Sequence, residues 1–140
     1  MKKKIAIIFF CVLCIAANCF AGGYIKSYSS GKKLFKYDSS YIYVYSSGKK
    51  IYKYNKQYIV DTKSGKRIYK FDGKYLIQYS SGKRILEFDN QYIKKYSNGK
   101  RLLVFSDKYV KDYKSGKRLM EFSGDFPKVL AGLIVLKKIK

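Results

Sequence analysis

A chain of 140 residues with 31 Lys and Arg against 9 Asp and Glu, a net charge of +22, has room for one ordinary domain and is strongly basic. Its 47% hydrophobic content excludes the regime of low hydrophobicity and high charge that keeps chains disordered. The absence of His excludes imidazole chemistry. Sixteen Tyr favour strands, because aromatic and β-branched side chains fit a pleated surface.

The first 21 residues read as an export signal rather than as structure. Lys2, Lys3 and Lys4 form a basic start, Ile5 to Ala17 an apolar run, and Cys19-Phe20-Ala21 a small-residue cleavage site. An uncleaved anchor is the alternative, but such a span uses about 17 or more apolar residues. Asn18 before Cys19 and Leu13 before Cys14 do not suit lipid attachment. All three cysteines, Cys11, Cys14 and Cys19, fall in this segment, so the chain from Gly22 has none to pair. The expected localisation is exported, periplasmic or extracellular, with no transmembrane span once the signal is removed.

From Tyr24 the sequence repeats every 17 residues, at Tyr41, Tyr58, Tyr75, Tyr92 and Tyr109, and Gly31, Gly48, Gly65, Gly82, Gly99 and Gly116 keep the same step. A fixed period over six copies marks a repeat architecture. Counting each repeat from its Tyr, positions 1–5 read Tyr-Ile-x-x-Tyr and positions 6–9 Ser-Ser-Gly-Lys. Positions 10–14 read Lys/Arg-Leu-apolar-x-Phe, and a polar triplet such as Asp72-Gly73-Lys74 leads to the next Tyr. Two runs of strand formers around a Gly-centred turn make a hairpin. A three-residue Ser-Ser-Gly loop with a bulge pairs position 2 with position 12. A two-residue Asp72-Gly73 turn would pair position 12 with position 2 of the next repeat, giving one unbroken apolar stripe. The opposite face then carries Tyr at 1 and 5, Leu or Ile at 11, and Lys or Glu at 3 and 13. Tyr there either packs the sheet or offers a stacking platform to sugars and planar ligands.

The expected fold is therefore all-β: tandem 17-residue hairpin repeats in a meander sheet, coiled or closed, or in a hairpin solenoid. The divisions are 1–21 signal, 22–125 hairpin domain and 126–140 C-terminal cap. Strands of five or six residues fall short of the roughly 9–11 used by transmembrane barrels. After Phe126-Pro127 the pattern stops, and the apolar octet Val129–Leu136 precedes Lys137, Lys138 and Lys140. It reads as a strand or short helix covering the open end of the core, with a membrane-surface anchor as the alternative.

The alternation of Tyr-Ile, Ser-Gly-Lys-Arg and Phe-Asp-Gly resembles small secreted bacterial proteins built of tandem Phe-Asp-Gly/Tyr-Ile hairpin repeats, which close with a proline-containing apolar tail like Phe126-Pro127-Lys128-Val129-Leu130. The resemblance implies a hairpin array and no particular activity. A more distant similarity to choline- and glucan-binding hairpin repeats brings no site with it, since those use Trp and this chain has none.

No catalytic residue, metal ligand or cofactor is expected. The carboxylates fall at turn and strand-surface positions, and a glycosidase-like pair such as Glu87 with Asp89 would have to arise at repeat positions that make no unique pocket. Gly-Lys-Arg lacks the Gly-x-x-x-x-Gly-Lys-Ser/Thr frame of a phosphate loop. The informative feature is charge placement. Positions 6–10 hold fourteen cations and no acid, whereas positions 15–17 sum to −2. In a regular hairpin array these are opposite edges. The polyanion-binding candidates are Lys32, Lys33, Lys49, Lys50, Lys66, Arg67, Lys83, Arg84, Lys100, Arg101, Lys117 and Arg118. The simpler alternative is that Lys beside Gly keeps a sheet edge soluble. The expectation is a non-enzymatic binding protein whose basic rim contacts an anionic envelope polymer or surface. A protein-interaction or surface-structural module using the aromatic face is the alternative. Nucleic acid is not an expected partner of an exported chain, and the oligomeric state is left open.

Overall fold

The structure, a computed structural model, describes residues 22–138; the export-signal reading of residues 1–21 lies outside the described residues. Each repeat folds as one hairpin. The strands are β1 (Gly23–Ser27), β2 (Lys33–Tyr37), β3 (Tyr41–Val44), β4 (Lys50–Tyr54), β5 (Tyr58–Asp61), β6 (Arg67–Phe71), β7 (Tyr75–Gln78), β8 (Arg84–Phe88), β9 (Tyr92–Lys95), β10 (Arg101–Ser106), β11 (Tyr109–Asp112) and β12 (Arg118–Gly124). One helix follows, α1 (Lys128–Val135). The strands run up and down in chain order, and β1 pairs with both β2 and β12, so the meander is a closed barrel.

Across the Gly-Lys turns position 2 pairs with position 12, as Ile59 with Tyr69 and Leu76 with Leu86, the register expected from a bulged loop. The other turns differ from expectation. Position 12 faces position 4 of the next repeat, as Tyr69 faces Gln78, and position 14 faces position 2, as Phe71 faces Leu76. A side chain at position 15 braces this turn in repeats 1 to 4, from Asp38, Asn55, Asp72 and Asp89, and repeats 5 and 6 keep the same register with Ser106 and Ser123 there. The Asp72 N–H donates to the Tyr75 carbonyl at 3.3 Å, while its carboxylate accepts the N–H groups of Lys74 at 2.9 Å and Tyr75 at 2.6 Å. The reversal is thus centred on Gly73-Lys74, one residue later than expected. Moving the centre by one residue slides the pairing by two, which keeps inside residues inside and staggers successive hairpins.

That stagger makes closure possible. A sheet without stagger has untilted strands, and closing a barrel needs tilt. Two residues in each of six repeats give a shear equal to the twelve strands, and the β1–β12 seam obeys the same register, with Ile25 facing Phe122. With about 3.3 Å per residue and about 4.8 Å between strands, the strands tilt by about 35° and the barrel radius is about 11 Å.

Position 2 lines the interior: Ile25, Ile42, Ile59, Leu76, Ile93 and Val110 are all fully buried. Position 14 joins them through Tyr37, Tyr54, Phe88 and Phe105. A tube of this radius is too wide for the wall's own side chains to fill, and α1 occupies its centre. Val129, Leu130, Ala131, Gly132, Leu133 and Ile134 are all buried, as a helix apolar on every side requires. The expected terminal cover is therefore an internal plug. It comes so close to the wall that a Cβ on Gly132 would run into Cδ1 of Ile93 and lie 3.5 Å from Cε1 of Phe88. The chain enters at the Asp-turn end, where the Phe126 ring lies 6.3 Å from Tyr37 and Lys128 Nζ donates to the Asn90 carbonyl at 3.4 Å. Gly23 permits that passage, since a Cβ there would lie 2.8 Å from the Phe126 nitrogen.

Candidate functional site: a cationic crown on a tyrosine wall

The six Gly-Lys turns stand together at one end of the barrel. Their glycines have φ between 66 and 69°, a conformation Gly adopts without steric cost. Each turn satisfies itself: in repeat 4, the Gly82 N–H donates to the Gln78 carbonyl at 2.9 Å and the Lys83 N–H to Ser81 Oγ at 3.3 Å. Where position 4 is Asp, the carboxylate braces the turn from below. Asp61 accepts from Ser64 Oγ at 2.6 Å and Asp112 from Ser115 Oγ at 2.7 Å. These hydroxyl contacts, ahead of any other cause, hold both carboxyls below the usual range.

Closure changes the shape of the basic edge. Instead of a straight comb, the turns form a ring, and six points on a circle of about 11 Å radius are about 11 Å apart. All twelve candidate cations are exposed, but they divide into two sets. The lysines at position 9, Lys32, Lys49, Lys66, Lys83, Lys100 and Lys117, stand at the turns. The cations at position 10 lie back on the outer wall against tyrosine. The Arg67 guanidinium carbon is 4.2 Å from the Tyr58 ring centroid and 5.7 Å from that of Tyr79, whose hydroxyl accepts from Arg67 Nη1 at 3.4 Å. Arg84 repeats this with Tyr75 and Tyr96, and Arg101 with Tyr92 and Tyr113. Arg118 completes the ring across the seam, 4.4 Å from Tyr109 and 5.4 Å from Tyr28. Lys33 bridges Tyr24 and Tyr45.

These clamps were not foreseen from sequence, although a signal was there. Position 10 pairs with position 3, so it lies on the outer face between the Tyr at position 1 of its own repeat and the Tyr at position 5 of the next. The exception follows the same logic. Thr62 replaces the second Tyr beside Lys50, and its hydroxyl turns back to the Lys50 carbonyl at 3.0 Å. Lys50 keeps Tyr41 at 4.4 Å and takes Tyr43, 5.9 Å away, from its own hairpin. The bulge also changes the place of position 11, expected on the outer face. Ile51, Ile68, Ile85, Leu102 and Leu119 are half-buried and pack against the core.

The plug ends at this same mouth. Leu136 and Lys138 line a groove of about 430 Å³ with Lys83, Arg84, Ile85, Leu86, Lys95, Ser97 and Leu102. A second groove, about 770 Å³, runs along the outer wall beside Tyr24, Lys36, Asp38, Tyr43 and Tyr45. There Asp38 accepts from the Tyr43 hydroxyl and from the Tyr41 N–H at 2.8 Å, and its carboxylate pushes the Tyr43 hydroxyl up to about 12. Glu87 and Asp89 are each engaged by a lysine, Lys74 at 3.7 Å and Lys94 at 2.7 Å. Among the described residues no three His, Cys, Asp or Glu gather as a metal site.

The geometry defines a class of structure: a closed twelve-stranded hairpin barrel plugged by its own helix and crowned at one end with cations. The chain matches no family model, no curated protein and no solved structure.

Proposed function

We propose that the protein is an exported, non-enzymatic binding protein whose cationic crown holds an anionic envelope polymer or surface. The observation that carries this reading is the segregation of charge: twelve exposed cations ring one end of the barrel, and the turns at the other end sum to −2. Adjacent turns are separated by little more than the Debye length of about 8 Å at physiological salt, so neighbouring pairs partly reinforce one another. Release of counterions from the polymer makes such binding steeply salt-dependent. Lysine at the turn tips offers point charges rather than a planar fork, so fine chemical selectivity is low.

The test compares two charge-matched variants. Replacing Lys32, Lys49, Lys66, Lys83, Lys100 and Lys117 by Gln removes most binding to a soluble polyphosphate and leaves every tyrosine clamp in place. Replacing Lys36, Lys53, Lys56, Lys70, Lys74 and Lys108 lowers the net charge equally and has a smaller effect. Equal losses reduce the crown to bulk charge, and no binding by the parent even at low salt overturns the proposal. The second reading, an aromatic interaction surface, draws support from Tyr28, Tyr45, Tyr79, Tyr96 and Tyr113, each 42–46% exposed. It predicts that Tyr79→Ser with Tyr96→Ser abolishes partner capture where the lysine changes do not.

A further inference from the structure

The groove at the crowned mouth combines two chemistries that a purely ionic site does not need. Its rim is cationic, from Lys83, Lys95 and Lys138, and its floor is apolar, from Ile85, Leu86, Leu102 and Leu136. Its origin can be traced in the repeat. At position 12, facing the plug, repeats 2 and 3 carry Tyr52 and Tyr69, and the Tyr69 hydroxyl reaches the Lys138 carbonyl at 3.3 Å. Repeats 4 and 5 carry Leu86 and Leu103 there. Leu86 is itself buried, but its shorter side chain does not reach the helix end as Tyr69 does, and the groove opens over it between Lys83 of the repeat 4 turn, Lys95 at the end of β9 and Lys138.

A soluble polyanion gains nothing from an apolar floor. An amphiphile does: its charged head meets the lysines while its first methylenes leave water against Leu136 and Ile85. We infer that this groove binds an anionic lipid, seating the phosphate head on Lys83, Lys95 and Lys138 and the start of an acyl chain on the Leu86–Leu102–Leu136 floor. The inference deepens the crown reading and rests on it: the crown supplies the attraction to an anionic surface, and the groove makes lipid the preferred form of that surface. About 430 Å³ lies within the range of roughly 300–1,000 Å³ common for small-ligand sites.

The experiment uses the chain from Gly22 onward, which holds every described strand and the plug, with two probes: phosphatidylcholine vesicles doped with phosphatidylglycerol, and soluble inorganic polyphosphate. Leu86→Tyr fills the groove with the residue that repeats 2 and 3 already hold at this position, and Leu136→Ser removes part of the floor. Circular dichroism checks the fold; if Leu86→Tyr fails to fold, Leu136→Ser decides. Both variants are expected to lose about tenfold in vesicle affinity, the worth of roughly two methylenes, with polyphosphate binding unchanged. Vesicle binding by the parent should also survive salt that releases polyphosphate. Unchanged vesicle affinity in the folded variants overturns the lipid site, as does an equal loss on both probes. A parent that binds polyphosphate but not vesicles overturns this inference alone, and one that binds neither overturns the crown reading with it.

Discussion

A side chain at Gly82 would meet nothing within 4 Å, yet its φ of +67° is one that a β-branched residue adopts only under strain. Gly82→Val is therefore expected to lower stability by about 1–2 kcal/mol through backbone conformation alone. An unchanged thermal melt would refute that account of the turn. The complementary case lies at position 16, on the other rim. Repeat 3 places Gly73 there at φ 97°, whereas repeat 2 places Lys56 at 70° and repeat 1 Ser39 at 78°. Lys56→Gly relieves that strain at some cost in chain entropy, for a net gain of about 0.5 kcal/mol, measurable as a rise in the urea midpoint. The turn glycines were legible from spacing because a tight reversal admits few residue types. The strained serine and lysine were not, because neighbouring hairpins hold them where their own preference would not.

The plug shows where reading the elements in sequence stops. An apolar octet with basic residues after it says that a segment is buried, but a helix apolar on all sides carries no stripe to say against what. Only closure, which depends on the two-residue stagger at the Asp turns, creates a tube for it to fill. The hairpins, the turn glycines and the bulged register were legible because each is a local matter. The stagger was not, since it rests on a shift of the turn centre by a single residue, as at Gly73-Lys74, where Asp72 accepts two backbone N–H groups. The twelve candidate cations are all exposed. Their division into free turn lysines and tyrosine-clamped partners emerged only once the strands were in register. Gly132→Ala weighs two opposed effects: helix propensity favours Ala by about 1 kcal/mol, and overpacking against Ile93 costs about 1–3 kcal/mol. Ile93 is fully buried in a closed wall and has little room to yield, so a net loss of about 1 kcal/mol is expected in urea unfolding; a gain would mean that the wall gives way. A double-mutant cycle on Arg101→Gln and Tyr92→Leu, which removes the ring 4.2 Å from the guanidinium, should return a small favourable coupling from the cation–aromatic contact; zero coupling would make the clamp energetically idle.

For the molecule as a whole, acid and alkali act through different groups. The Ser64 hydroxyl on Asp61, the Tyr75 N–H on Asp72 and the Ser115 hydroxyl on Asp112 hold those carboxyls below their ordinary value. A carboxyl depressed on folding stabilises fully above its unfolded pKa of about 3.9, and that contribution disappears as pH falls through the folded value. Burial pushes the Tyr54 hydroxyl up to about 12. A group raised on folding stabilises fully below its unfolded pKa of about 10, and the contribution is lost as pH rises toward the folded value. The melting temperature is expected to be flat near neutrality, to fall in acid, and to fall again above about pH 10. Tyr54→Phe, the residue that repeats 3 to 6 carry at position 14, should blunt the alkaline fall and leave the acid one unchanged. The stagger carries a further consequence, for how such a chain can change in length. Because each hairpin adds two strands and two residues of shear together, the tilt is independent of repeat number, and gaining or losing one repeat alters only the bore, by about 2 Å in radius. An open solenoid tolerates such events at its ends. Here the helix gauges the tube: five repeats would clasp it too tightly and seven would leave it rattling. The number of repeats is thus matched to helix α1, and deletion of residues 75–91 should yield an unfolded or oligomeric product rather than a smaller barrel.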